Sequence, residues 1–503
     1  MRDFNDDYYK KIESLDREAL VRLIEKVDSS PWRQGYHTQP VTGYMSSPAA
    51  FFYRDGRYHL FYNWHPLTDK NNINYWYHVS ADNLSDFHNE GVKLRPDDLY
   101  DSHGLTAGSA VEIGGELFVF YTGLFEKAGK EIAPVQLAAE FKTDKKLYKH
   151  PVPLIEEMPE EIKTVRDPFV FKQRDTYYMM LGIEKADGYG GAALYRSTDG
   201  LRFEYSGVLD TPLTTFGDMW ERPEVFELDG FDVLMFCPKG IDKYGYNFWN
   251  TDQAGFVIGE LDTGNVSMDH GTFFEFDYGF DFNMPMTTVD ACGRRVMIGL
   301  LGMHDTDYPT AEYDWANCLS VPRVLSIEDY KLKQRPHPDI KKLRQSEIKA
   351  EGYFDHHPKR LRDFYGDRYE FIINFIENDA SEVYIKLRVS KREETVITYK
   401  KEQDEIILDT TFSGELPVGV DGTRRHLKLK GSLRQLHIFM DDSSIEIFIN
   451  DGDRVMSSRI FPDNSSKGVE LSTEIGQCYV EMTQYKLKES EHEKIIYSWR
   501  GTD

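Results

Sequence analysis

The feature that most restricts how this chain can fold is one hairpin pattern that returns five times in phase. Pro48 opens AAFFYRDGRYHLFY, which reads as a strand, an Asp55-Gly56 turn and a second strand. The same grammar returns at Pro168 (FVFKQRDTYYMML, turning at Arg174-Asp175), at Pro223 (EVFELDGFDVLMF, turning at Asp229-Gly230) and at Pro285 (MTTVDACGRRVMIGL, turning at Cys292-Gly293). A fifth copy, Ser109-AVEIGGELFVFY, lacks the proline but keeps a Gly114-Gly115 turn. Asp-Gly and Gly-Gly tolerate the positive φ that tight hairpin turns demand. The copies stand roughly sixty residues apart, somewhat longer than common propeller blades, which leaves room for long loops. The pattern predicts a five-bladed β-propeller over residues 33–336. It also predicts that the residues just ahead of each copy meet at one mouth: Ser47, Gly108, Asp167, Glu221 with Arg222, and Met284.

The flanks read differently. Asp16 to Val27 has helical periodicity, with Leu20, Leu23 and Ile24 on one face, so residues 1–32 form a helical extension. Beyond His337, HPDIKKLRQSEIKAEG is polar without strand alternation and reads as a linker. Short alternating segments follow (YEFIINF, VYIKLRV, EIILDTTF, RQLHIFMDDSSIEIFIN, MSSRIFP, CYVEMTQYKL), the pattern of two antiparallel sheets. The fold class is therefore all-β, a propeller followed by a C-terminal β-sandwich, with residues 337–503 as linker and sandwich.

At 503 residues there is enough chain for more than one core. The formal charge of −25 argues against nucleic acid and anionic membranes, whose phosphates attract basic faces. Four dispersed cysteines without a CxxC pair or zinc spacing read as buried thiols of a reducing cytosol. The polar first twenty residues do not look like a signal peptide, and no apolar run has the length of a membrane span. A cytoplasmic protein is expected, with no cofactor. His65, His78, His304, His356 and His357 show no ligand spacing with carboxylates, so no metal is expected either. The oligomeric state is not legible.

Several segments at the predicted mouth carry a more specific likeness. Arg166-Asp167-Pro168 matches the Arg-Asp-Pro motif of the family-32 glycoside hydrolases, and Trp220-Glu221-Arg222-Pro223 resembles their Trp-Glu-Cys-Pro motif. Tyr75-Trp76-Tyr77-His78 is similar to a Trp-Gly-His segment, and Ala107-Gly108-Ser109-Ala110 to Ser-Gly-Ser-Ala. Ser443 to Phe448 and Ser458 to Pro462 look like family members as well. The family includes invertases, sucrose-6-phosphate hydrolases and fructanases, so the resemblance implies cleavage of a small fructoside by two carboxylates with retention. By the same likeness Glu221 is the acid/base and Asp167 the transition-state stabiliser. Arg166 would hold Asp167 by a charge-assisted pair. Asn63, Trp76, Ser109 and Trp220 complete the expected sugar contacts, the two tryptophans serving equally well as blade fillers. Arg222, Lys239 and Lys243 are candidates for a substrate phosphate.

The nucleophile position departs from the pattern. The family carries Asn-Asp-Pro-Asn-Gly, whose aspartate attacks; this chain has Ser46-Ser47-Pro48-Ala49-Ala50, with Ser47 in place of the carboxylate. A serine hydroxyl is a weak nucleophile without a base, and no histidine neighbours Ser47 in sequence. Asn283-Met284-Pro285-Met286 stands for Tyr-Ala-Pro-Gln, Leu300 for a tryptophan, Ala107 for a serine and Asn63 for a glutamine. Three readings remain open: a β-fructosidase whose attacking group comes from elsewhere, with Asp101 a candidate base; a relative that binds a sugar or a partner protein without hydrolysis; and an enzyme of changed reaction, such as transfer to another acceptor.

Overall fold

The structure is a computed structural model that describes residues 8–70, 72–127, 131–155 and 158–490. It is an all-β protein, an N-terminal β-propeller followed by a C-terminal β-sandwich. Each of the five hairpin copies opens its own sheet of four or five strands. Their first two strands are Gly43–Arg54 with Arg57–His65, Leu105–Ile113 with Glu116–Glu126, Ile162–Gln173 with Thr176–Lys185, Met219–Leu228 with Phe231–Lys239, and Asn283–Val289 with Arg295–Leu301. Asp55, Gly56, Gly114, Gly115, Asp229 and Gly230 all have positive φ, as those turns require. The last sheet is tied to the first by a late segment: Trp315 and Ala316 pair in parallel with Gly43 and Tyr44. The five pre-turn positions therefore belong to one closed assembly, and this closure is what brings residues more than a hundred positions apart to one mouth.

The helix runs Arg17–Asp28, one residue along from its expected span, because Asp16 is its cap and accepts the Ala19 N–H at 2.8 Å. Leu20 is buried, and Leu23 and Ile24 pack at the edge of the core.

Two expectations are corrected. The segment after His337 is not a linker: Pro338–Leu343 is a 3₁₀ turn and Arg344–Phe354 is a full strand. It lies at the edge of a six-stranded sheet, hydrogen-bonded only to Cys478–Leu487. Its residues are mostly exposed, so backbone pairing holds it and apolar alternation is not needed. All four cysteines are free, but Cys292 is exposed because it occupies the turn between Val289 and Arg295. Among the described residues no helix is long and apolar enough to cross a membrane.

The sandwich packs two six-stranded sheets over a core that includes Phe371, Ile385, Ile438 and Leu471. A buried polar seam joins it to the propeller. The Asp441 carboxylate accepts N–H bonds from Gly35, Tyr36 and His37, and His37 bridges Asp441 and Glu446 at 2.7 and 3.1 Å. Arg323 continues the chain to Glu446 at 2.8 Å and Asp277 at 3.1 Å.

Candidate active site

The pre-turn residues are shaped by bulges. Asp167-Pro168 together oppose Leu181, Arg222-Pro223 oppose Phe236, and Met284-Pro285 oppose Gly299, each breaking the register of its hairpin. The residue before each proline has positive φ: 57° at Asp167, 50° at Arg222 and 47° at Met284. The bulge rather than the proline accounts for this left-handed backbone, since proline steers its predecessor toward extended backbone and Ser47 before Pro48 has no positive φ. Such a conformation costs a non-glycine residue about 1–2 kcal/mol, and bulges of this kind re-aim side chains near functional sites.

This geometry refines the expected phase. Asp167 sits on its bulge, whereas Glu221 is the residue ahead of its own. By bulge position Glu221 corresponds to Arg166, and Asp167 to Arg222. The one-residue offset lets the two pairs cross. Arg166 Nη1 donates to Glu221 Oε1 at 2.5 Å, while the Arg222 main-chain N–H donates to Asp167 Oδ2 at 3.2 Å. So Arg166, expected to fix Asp167, instead grips Glu221. Asp167 is held by Thr106 Oγ1 on Oδ1 at 3.2 Å, and its own N–H donates to Thr122 Oγ1 at 3.1 Å. Burial and the nearby Glu221 charge raise the Asp167 pKa, opposed by Arg222 and Arg166.

The second oxygen of Glu221 faces Lys239, 3.3 Å away, and Lys239 also stands 3.8 Å from Asp252. Asp252 in turn meets His304 Nδ1 at 3.1 Å. Burial alone would lower the His304 pKa, but the bond to Asp252 and its charge outweigh it, so the pKa is raised. Sequence reading missed Asp252 and His304 as partners because both lie in long connections without a period. Lys239 was within reach of it: Glu221 pairs with Cys237, and two residues further along a strand returns to the same face. Lys243 goes elsewhere, pairing with Asp421.

Ser47 is buried and accepts a hydrogen bond from Asn63 Nδ2 at 3.0 Å across the hairpin. The histidine that sequence adjacency could not show is His65, and it serves the neighbouring serine. His65 Nδ1 lies 2.7 Å from Asn72 O and 3.2 Å from Asn72 N, and Nε2 bonds the Ser46 hydroxyl at 3.0 Å. Burial pushes the His65 pKa down to about 3, so the ring is neutral. Arg222, whose place beside the acid was unexpected from sequence, turns its guanidinium away from Glu221. Nη1 donates to Pro48 O at 2.6 Å, directly beside Ser47. Ser47, Asp167 and Glu221 are thereby linked through Arg166 and Arg222 into one cluster.

The other expected contacts are engaged inside the protein. Trp76 is wholly buried and donates its indole N–H to Thr106 O, and Trp220, 1% exposed, stacks on Phe236 at 4.0 Å. Ser109 staples two sheets, donating to Pro168 O at 2.8 Å and accepting from Val170 N at 2.9 Å. Asp101 is fully buried against Lys149 and Tyr121. Asp355, His356 and His357 gather at the exposed surface of the sandwich with ligand atoms within 4.8 Å of one another, so these two histidines do have a carboxylate at ligand spacing, contrary to the expectation from sequence.

Residues 37–336 match the model of the glycosyl hydrolases family 32 N-terminal domain, and residues 339–488 that of the family 32 C-terminal domain. The chain belongs to glycoside hydrolase family 32. Among its relatives, the sucrose-6-phosphate hydrolase of Staphylococcus xylosus is 40% identical over 481 residues, 95% of this chain and 97% of that one. The solved sucrose-6-phosphate hydrolase of Lactobacillus gasseri superposes with a TM-score of 0.89 at 28% identity, covering 96% and 98% of the two chains. The Bombyx mori GH32 beta-fructofuranosidase does so at 0.82 and 26%, covering 95% and 99%. In this chain Glu221 contacts Arg166 and Lys239, and Asp167 accepts from the Arg222 main chain and Thr106.

Proposed function

We propose that the chain cleaves the fructosyl bond of sucrose, sucrose 6-phosphate or a related β-fructoside. Glu221 protonates the departing oxygen and Asp167 stabilises the oxocarbenium-like transition state. The observation that carries this reading is the crossed pair of contacts, Arg166 to Glu221 and Arg222 to Asp167, which holds two acids from separate sheets at one point. Preorganised charge of this kind is what stabilises a developing cation. The names of the relatives support sucrose 6-phosphate as the first substrate to try. Free thiols at all four cysteines support a reducing compartment, the cytoplasm.

The test is release of reducing sugar from sucrose, sucrose 6-phosphate and inulin by purified protein, with Glu221→Gln abolishing it. A second reading, sugar binding without turnover, is favoured by the neutral Ser47. It requires saturable calorimetric binding of a fructoside, weakened by Asp167→Ala, with no sugar released.

A further inference from the structure

Resting on the fructosidase reading, we propose that the group attacking the fructosyl anomeric carbon is an oxyanion from solution, inorganic phosphate, held beside Ser47 where the family's aspartate would stand. Two departures from the family motifs point the same way. Ser47 removes a negative charge, and Arg222 in place of a cysteine adds a positive one. The two are neighbours in space, since Arg222 Nη1 bonds the carbonyl of Pro48.

The resulting charge depends on the Glu221 proton. Arg166, Arg222, Lys239 and His304, when protonated, face Asp167, Glu221, Asp252 and Glu224. Arg222 is buried, and none of the ion pairs among the described residues includes it. Burial lowers its pKa because the nearby charges of Asp167, Glu224 and Glu221 offset that burial only in part, and a bound anion would relieve the remaining desolvation cost. When Glu221 holds the proton it must deliver, these four cations face Asp167, Asp252 and Glu224, a surplus that favours a bound phosphate anion.

The chemistry asks for the same partner. Water needs a base to attack, and the two candidate bases are engaged: His65 bonds Ser46, and Asp101 is held by Lys149. Phosphate arrives already ionised. One phosphate oxygen bonds to C2 of the fructosyl unit as the C2–O bond to the leaving sugar breaks. The leaving oxygen takes the proton of Glu221; the new fructosyl phosphate releases its remaining P–OH proton to solvent, and Glu221 regains a proton from solvent once the leaving sugar has gone. No electrons are gained or lost, and a single displacement inverts C2. The Ser47 hydroxyl, accepting from Asn63, is free to donate its own hydrogen to the anion.

The test compares release of glucose from sucrose, and of glucose 6-phosphate from sucrose 6-phosphate, in phosphate-free buffer and along a phosphate series. ³¹P NMR identifies any new phosphomonoester. The expected result is a saturable rise of at least about tenfold, a modest share of a typical catalytic effect, with fructosyl phosphate as product. Arg222→Cys should raise the phosphate concentration for half-maximal rate. Ser47→Asp should make cleavage phosphate-independent with free fructose as product, melting curves confirming that both variants fold. Cleavage equally fast without phosphate would overturn the inference and leave the fructosidase reading standing. No cleavage of either sugar in either buffer would overturn both.

Discussion

The mouth of the propeller and the seam beneath the sandwich are built from the same residue types and treat their charges in opposite ways. At the seam, every oxygen of Asp441 and Glu446 accepts at least one hydrogen bond, from main-chain N–H groups of residues 35–37, 321 and 442, from His37 or from Arg323. The cations there are fixed by the carboxylates they serve. At the mouth, Lys239 divides itself between two acids at 3.3 and 3.8 Å, and Arg222 is turned onto a carbonyl. Buried charge that is fully paired locks two bodies together; buried charge left in surplus is a place for a ligand.

The contrast is broken most sharply at Glu221. Glu221→Gln keeps the size of the side chain but removes the transferable proton, so the cleavage rate should fall by about 10²–10⁴-fold while the melting temperature stays near that of the wild type. If the fall in rate merely tracks a loss of fold, the mouth is another seam.

At the seam, Asp441→Ala strips His37 and four main-chain N–H groups of their acceptor. Removing one partner of a buried pair costs about 3–5 kcal/mol, to be read by urea denaturation. The mouth should show no such dependence: Lys239→Met is expected to change sugar cleavage more than stability.

Proton linkage distinguishes the two regions next. Burial would drive the proton off His37, but hydrogen bonds and charge from Asp441 and Glu446 outweigh it and lift its pKa from 6.5 to about 9. A raised folded-state value means that this stabilisation is complete below the ordinary histidine pKa and is lost as pH rises through about 9. Tyr36 and Arg323 share the pocket, and the Tyr36 pKa is pushed up by burial and by Asp441, so it does not titrate in this window. Thermal melts should therefore fall between neutral pH and pH about 9, and His37→Gln should flatten that slope. The mouth answers on the acid side through rate. Asp167 must be ionised to stabilise a cation, and its raised pKa places the acid limb of the rate profile above the ordinary aspartate value. The smallest effect is expected between the sheets: Ser109→Ala loses the bonds to Pro168 O and Val170 N and should cost about 1 kcal/mol with little change in rate.

The sequence alone supplied the repeat, the fold class and the residues that meet. Hairpin turns and strand alternation are local, and the Arg-Asp-Pro and Trp-Glu-Arg-Pro segments are contiguous, so both could be read without coordinates. The strand Arg344–Phe354 escaped because an edge strand held by backbone bonds carries no apolar period. The partners of the acids depended on a one-residue offset between bulges, which moves Arg166 from Asp167 to Glu221, and on connections that carry Asp252 and His304 in from outside the repeat. Alternation along a strand fixes which face a residue occupies; only the closing of the sheets around one axis decides which charges face each other there.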